Sequence, residues 1–242
     1  MTDNTVRKQF KAEHHAMLFA WMAGEIIVRA GEGEAAPIIR KAVRRYGEER
    51  GNRMAMRARA NGHSCTMIDY LSYTEWKAGM NEVKMDIVAK RPNMRVKIPC
   101  CPWHTAWKES DLMAYGRYYC LDIDNAVLRG FNPALTLEVI EVKPDGALDC
   151  TMVFHGMNFT ISQILSLLSR KYIRPGKRAI MPWDYHTGHI YKTVGDEFIE
   201  AFGNKGKEAC VAATLKFREY YGHDAARIVE DYARCDFHRP AC

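Results

Sequence analysis

A chain of 242 residues, 48% hydrophobic and 26% charged, is long enough to bury a real core in one large domain or two small ones. No apolar run reaches the ~18 residues of a membrane span, and MTDNTVRKQFKAEHH lacks an apolar stretch before a small-residue cleavage site, so a cytoplasmic protein with no membrane partner is expected. The formal charge of +6 is modest, and its basic residues crowd into RKAVRRYGEERGNRMAMRARA, 40–60, where interspersed glutamates and apolar residues read as a solvated helix face rather than a nucleic-acid surface.

The first sixty residues predict two helices. In Val6 to Ala30, Phe10, Met17, Leu18, Trp21 and Ile27 recur at helical spacing. Gly31 and Gly33 interrupt the pattern, and a second helix runs from Glu34 to Ala60, with Pro37 near its first turn. A third is expected from Thr66 to Ala78. The centre then turns to strands: VKMDIVAK and MRVKIP flank Arg91-Pro92-Asn93, and LTLEVIEV and ALDCTMVFH flank Lys143-Pro144-Asp145-Gly146. From Thr160 the chain is helical again. The expected fold is α+β, a single domain over 1–242 with helical 1–80, strand-rich 81–157 and helical 158–242. Two hairpins would make a small antiparallel sheet flanked by N- and C-terminal helical hairpins. These hairpins also read as an internal duplication: His15 falls over His186 and Gly24-Glu25 over Gly195-Asp196, then, after a one-turn shift, Gly31 over Gly206 and Tyr46-Gly47 over Tyr221-Gly222.

Chemistry-bearing residues concentrate in CCPWHTAW, 100–107. Pro102 suits the first position of a helix, which would make Cys101 the N-cap, where unpaired N–H groups and the positive dipole end favour thiolate. His104 would lie within the first turn, in reach of that sulfur or its substrate. Trp103 and Trp107, four apart, would share a face that walls off water or stacks on a flat ligand. Inert buried thiols and core tryptophans are the competing structural reading.

In GRYYCLDIDNAVLRGFNP, 116–133, Cys120 and Asp124 are further catalytic candidates, and Arg129 and Asn132 substrate-binding ones. Asp124 also reads as the N-cap of a short helix ended by Gly130. Arg129 is the residue best suited to a two-pronged grip on a carboxylate. His186 and His189 in WDYHTGHIY are spaced i, i+3, and His186 is taken as a pocket wall; without HExxH, metal binding is not assigned there. Eight cysteines without a CxxC argue for thiols, ligands or catalytic groups rather than a disulfide frame. No cofactor is assigned, although Cys101, Cys120 and Cys150, with an aspartate or His104, are compatible with a zinc site.

CPWHTAW, YGRYYCLDID, RGFNPALTLEV and DGALDC together resemble the central signature of the L-2-amino-thiazoline-4-carboxylic acid hydrolases. RYGEERGNRMAMRA resembles that family's N-terminal helix, and WDYHTGHIY with YYG its C-terminal part, so the likeness spans about residues 35–225. It implies a hydrolase that opens a five-membered cyclic isothiourea acid to a carbamoyl-cysteine product. In that reaction Cys101 would be the nucleophile, His104 or Asp124 the acid/base, Arg129 the anion anchor, and Trp103 and Trp107 the aromatic walls; an activated water or metal hydroxide is the other nucleophile. The partner is then a small heterocyclic substrate, and a homo-oligomer is compatible with this. GALDCTMVF also resembles an edge of the small-molecule-binding domains named after vinyl reductase, although no cysteine stands between Glu138 and Lys143. That leaves a non-catalytic sensor as the alternative.

Overall fold

The computed structural model describes residues 3–79, 82–157, 160–173 and 179–240. In chain order it contains α1 Asp3–Arg7, α2 Ala12–Ala30, α3 Glu32–Ala60, α4 Met67–Ser72, β1 Lys84–Ala89 and β2 Met94–Cys100. Next come α5 Pro102–Glu109, α6 Met113–Cys120, α7 Ile123–Phe131, β3 Leu137–Glu141 and β4 Cys150–Phe154. The chain continues through α8 Ile161–Leu168, α9 Trp183–Phe202, α10 Asn204–Tyr221 and α11 His223–Asp231. The fold is α+β, as expected. No helix among the described residues is long and apolar enough to cross a membrane.

The chain divides into two compact units, each assembled from three separated segments. The first comprises Met1–Tyr46, Pro102–Asp122 and Pro182–Asp236; the second comprises Gly47–Cys101, Ile123–Met181 and Phe237–Cys242. The helical, strand-rich and helical thirds read from the sequence therefore do not coincide with the units.

In the first unit α2, α9 and α10 pack on one another, α5 and α6 close over α2, and α11 packs on α9 and α10. Helix α2 is apolar on nearly every side, and Leu18, Phe19, Met22 and Ile26 are fully buried. Such a helix must be surrounded. The single helix expected over Val6 to Ala30 is broken before Lys11, whose backbone is extended and whose N–H donates to His14 Nδ1. The break lets Phe10 turn inward against His14 and Phe217.

Both helical hairpins exist, α2–α3 and α9–α10, but their joints are Gly31 and Gly203, at φ +85° and +56°. Gly206 instead lies inside α10, where a Cβ would sit 2.2 Å from the Phe198 carbonyl oxygen of α9. Tyr46-Gly47 lies within α3, whereas Tyr221-Gly222 ends α10. The matched positions thus serve different roles, and the structure does not support duplication in that register.

The second unit holds the sheet, antiparallel throughout in the order β1-β2-β4-β3. The two expected hairpins are joined by β2–β4 pairing, with Val96 opposite Met152. Inner strand β4, CTMVF, is buried along its whole length, while edge strands β1 and β3 carry Lys84, Asp86, Glu138 and Glu141. Charge on an edge discourages pairing with another chain. Pro99 is tolerated in inner strand β2 because it lies at a register shift, between the pairs Lys84–Cys100 and Asp86–Lys97.

Helix α3 meets α7 along a glycine seam. A Cβ on Gly51 would lie 2.0 Å from the Val127 carbonyl oxygen, and one on Gly130 would lie 2.2 Å from the Glu48 carbonyl oxygen. Gly130 was expected to end α7; the helix runs on to Phe131, and the glycine is needed for this close approach. The basic stretch 40–60 is also not simply a solvated face. Arg53 is fully buried, donating from Nε and Nη2 to the two Glu75 carboxylate oxygens at 3.0 and 2.8 Å, and Arg57 joins the same carboxylate. This pairing shortens α4, which ends at Ser72 rather than Ala78. Glu75 leaves the helix so that its side chain meets the arginines and its carbonyl accepts Met181 N–H at 2.7 Å.

The seam makes opposite predictions for two glycines of one helix. Gly51→Ala should destabilise by about 1–3 kcal/mol or more, because backbone rather than a flexible side chain must yield. Gly33→Ala, with nothing within 4 Å of the added Cβ, should stabilise by about 0.5–1 kcal/mol. Urea midpoints of the two variants against the parent check this.

Candidate functional site

In the first unit five helices bring rings around His15. Helix α2 supplies His15 itself, α3 supplies Tyr46, α5 Trp103, α6 Tyr119, and α9 Trp183, His186 and His189. The Trp103 indole Nε1 donates to His15 Nδ1 at 3.0 Å, and His15 Nε2 lies 3.0 Å from the Tyr46 hydroxyl. Tyr119 stands edge-on to His15 at 5.4 Å and is near-parallel to Trp103 at 6.2 Å between centroids. Trp183 stands edge-on to Trp103 at 5.5 Å and to His15 at 6.1 Å, and lies 5.3 Å from His186. The His189 ring is 4.5 Å from Tyr46. His15, Tyr46, His186 and His189 are buried, whereas Trp183 keeps partial exposure.

Two of the sequence-derived substrate residues, Trp103 and His186, therefore belong to one aromatic–histidine cluster. Trp107 does not offer a face to a ligand. It is fully buried, donates Nε1–H to the Ala16 carbonyl at 2.8 Å, and lies so flat on Gly116 that a Cβ there would be 2.2 Å from the indole. Helix α5 does begin at Pro102, with Cys101 as the residue before it and the half-buried His104 in its first turn. Cys120 ends α6 and is half-buried. Sequence reasoning missed His15, Tyr46, Tyr119 and Trp183 as site residues. Their only local signal was polar or aromatic side chains on helical faces otherwise occupied by core residues.

In the second unit Asp124 lies inside the first turn of α7 rather than at its N-cap position. Protein atoms crowd its carboxyl although the residue as a whole keeps partial exposure, and no side-chain hydrogen bond to it is found among the described residues. Desolvation pushes this carboxyl up to about 6, with the Arg50 guanidinium pulling the other way. Arg129 is exposed and donates from Nε to Glu48 at 2.8 Å. In the first unit Asp122 is itself held by Arg40 at 2.6 and 3.1 Å and by Arg44. Asn132 is used locally, its Nδ2 donating to the Cys65 carbonyl and its Oδ1 accepting Ala134 N–H. Cys150 is buried in β4, its sulfur accepts Lys143 N–H at 3.4 Å, and burial pushes its thiol up. Among the described residues no group of three or more His, Cys, Asp or Glu side chains is gathered so as to hold a metal ion.

Residues 9–154 match the family model described as L-2-amino-thiazoline-4-carboxylic acid hydrolase. The match includes His15, Tyr46, the run from Cys101 to Cys150, and both strand hairpins. It stops short of WDYHTGHIY and YYG. No curated protein and no solved structure matches the chain.

The raised Asp124 carboxyl has a signed consequence for stability. The folded state holds this proton more tightly than the unfolded chain, so its contribution is complete below about pH 4 and is lost as pH rises through about 6. Asp124→Asn should therefore gain on the parent as pH rises, by no more than about 3 kcal/mol at neutrality. Urea midpoints at pH 4, 5, 6 and 7 check this, since the other titrations cancel between the two proteins.

Proposed function

The chain belongs to the L-2-amino-thiazoline-4-carboxylic acid hydrolase family, and on that premise we propose that it opens a small five-membered cyclic amidine or isothiourea carrying a carboxylate, yielding a carbamoyl amino acid. The observation that supports this most is the placement of Trp103, from the signature run, in a cluster of rings and imidazoles. Flat faces suit a planar ring, and imidazole nitrogens suit its heteroatoms.

Such a ring has an electrophilic carbon between its nitrogen and its second heteroatom, and protonation of the ring nitrogen sharpens that character. A nucleophile adds there, and the tetrahedral adduct collapses by breaking the bond from that carbon to a ring heteroatom, which leaves with a proton from the acid; where the nucleophile is the Cys101 sulfur, water then displaces that sulfur, supplying the carbamoyl oxygen, releasing the product and restoring the thiol. Cys101 is the proposed nucleophile, directly or through an activated water, because the residue before a helix start is where a thiolate is favoured. His104 or Asp124 is the proposed acid; a carboxyl raised to about 6 is protonated often enough near neutrality to serve.

Incubation with 2-amino-thiazoline-4-carboxylate, followed by mass spectrometry of the products, should show a carbamoyl-cysteine. A matching ring without the carboxylate should be a poor substrate. Cys101→Ser should abolish turnover while leaving the melting temperature near the parent value, and near-normal turnover would remove Cys101 from the mechanism. If Asp124 is the acid, kcat/KM should decline above about pH 6 in the parent, and Asp124→Asn should lose that limb. A protein that binds the ring without consuming it would be a sensor rather than a hydrolase.

A further inference from the structure

Helix α8 is apolar yet buries nothing. Five of the eight residues in ISQILSLL are isoleucine or leucine, and none of the eight is buried. The start of the helix is fixed locally: the Thr160 hydroxyl accepts Gln163 N–H at 3.2 Å, and the Gln163 side-chain oxygen accepts Thr160 N–H at 3.0 Å. From that start Ile161, Ile164, Leu165 and Leu168 fall on one stripe, with Ser162, Gln163 and Ser166 opposite. On a helix that covers a core this stripe would be the hidden one. Here it is open: Ile161 is 79% exposed, Leu165 62%, Leu168 46% and Ile164 37%. A lone exposed leucine is ordinary, but four apolar side chains on one stripe mark a contact surface.

The surroundings carry one sign of charge. Residues 150–183 contain five Lys or Arg and no Asp or Glu, where 29 acids in 242 residues would place about four. The elements packed most closely on α8 are α4 and the turn Ser169–Ile173, in the same unit. The one acid of α4, Asp69, is buried and accepts from Arg170, so it presents no negative charge at the surface. Lys171 is crowded by protein, and among the described residues no carboxylate faces it. Loss of solvent alone pushes its ammonium down. A cation in that state gains from an anion brought up to the helix.

An apolar stripe beside uncompensated positive charge matches the boundary of an anionic bilayer, where acyl chains take the side chains and headgroups the cation. A second copy fits less well. Two turns of helix fall far short of the roughly 20–30 residues a side that a stable interface uses, and like charges would meet across it. The lack of a spanning run, which argued against a membrane partner, does not bear on this, because a helix lying in the interface crosses nothing. We propose that α8 is an interfacial anchor that docks the protein on membranes carrying anionic lipid, with Ile161, Ile164, Leu165 and Leu168 entering the bilayer surface and Lys171 meeting the headgroups. This contact is independent of the reaction proposed above.

Flotation of the full-length protein with vesicles tests the anchor. Vesicles of phosphatidylcholine containing phosphatidylglycerol should carry the protein up the gradient, pure phosphatidylcholine far less, and added salt should weaken the binding. Ile161→Ser combined with Leu165→Ser should lower the partition coefficient about tenfold or more at an unchanged melting temperature. Lys171→Gln should lower it about fivefold on the anionic vesicles. Amide exchange in α8 of the parent should slow when those vesicles are added. No flotation with anionic vesicles, equal flotation with both kinds, undiminished flotation of either variant, or unprotected α8 amides overturns the proposal. So does a dimer in vesicle-free sedimentation that the double variant abolishes, which would make the stripe a contact between copies.

Discussion

Two helices whose backbones touch must give up side chains where they meet, and the second unit is organised around that constraint. At Gly47, Gly51 and Gly130 the space a Cβ would need is already filled by Ala126, by the Val127 carbonyl and by the Glu48 carbonyl. The approach sets α7 against α3 in a single register. Phe131 is then fully buried, Arg129 falls beside Glu48, and Asp124 comes within the influence of Arg50. The cost of glycine inside two helices is offset by the contact, since neither helix can slide without meeting the other's backbone.

The same unit treats its buried acids in two ways. Glu75 is fully buried but has two hydrogen bonds from Arg53 and a third from Arg57, the arrangement that makes a buried carboxylate tolerable. Asp124 is crowded and, among the described residues, receives no such bond, so its protonated form is favoured. Acids of the first kind hold a fold together. Those of the second kind are shifted towards neutrality by the loss of solvent.

The first unit uses a different device. His15 has no exposed surface on its central helix, so it has to find its partners inside the protein. It finds a donor-only indole on one side and a hydroxyl on the other, and this asymmetry gives the cluster a direction. A second histidine or a phenol in place of Trp103 would leave the proton free to choose.

Much of the fold was legible because its signals are local. Apolar spacing placed α2 and α3, alternation and turn residues placed both hairpins within a few positions, and Pro102 marked the start of α5. Each depends on residues within about a dozen positions of one another. The signature run likewise pointed to a family from contiguous residues. Tertiary structure decided what is not local. The buried Glu75 ended α4 early, since its arginine partner Arg53 lies 22 residues away. Gly130 became a contact rather than a stop, and Trp107 a core residue rather than a ligand face. Arg129 was matched to Glu48, 81 residues distant. His15 became part of a cluster of rings only when Trp103, 88 residues later, was packed against it. Periodicity states which face of an element turns inward; it does not state which other element that face meets, and the direction of a hydrogen bond is set only when both partners are known.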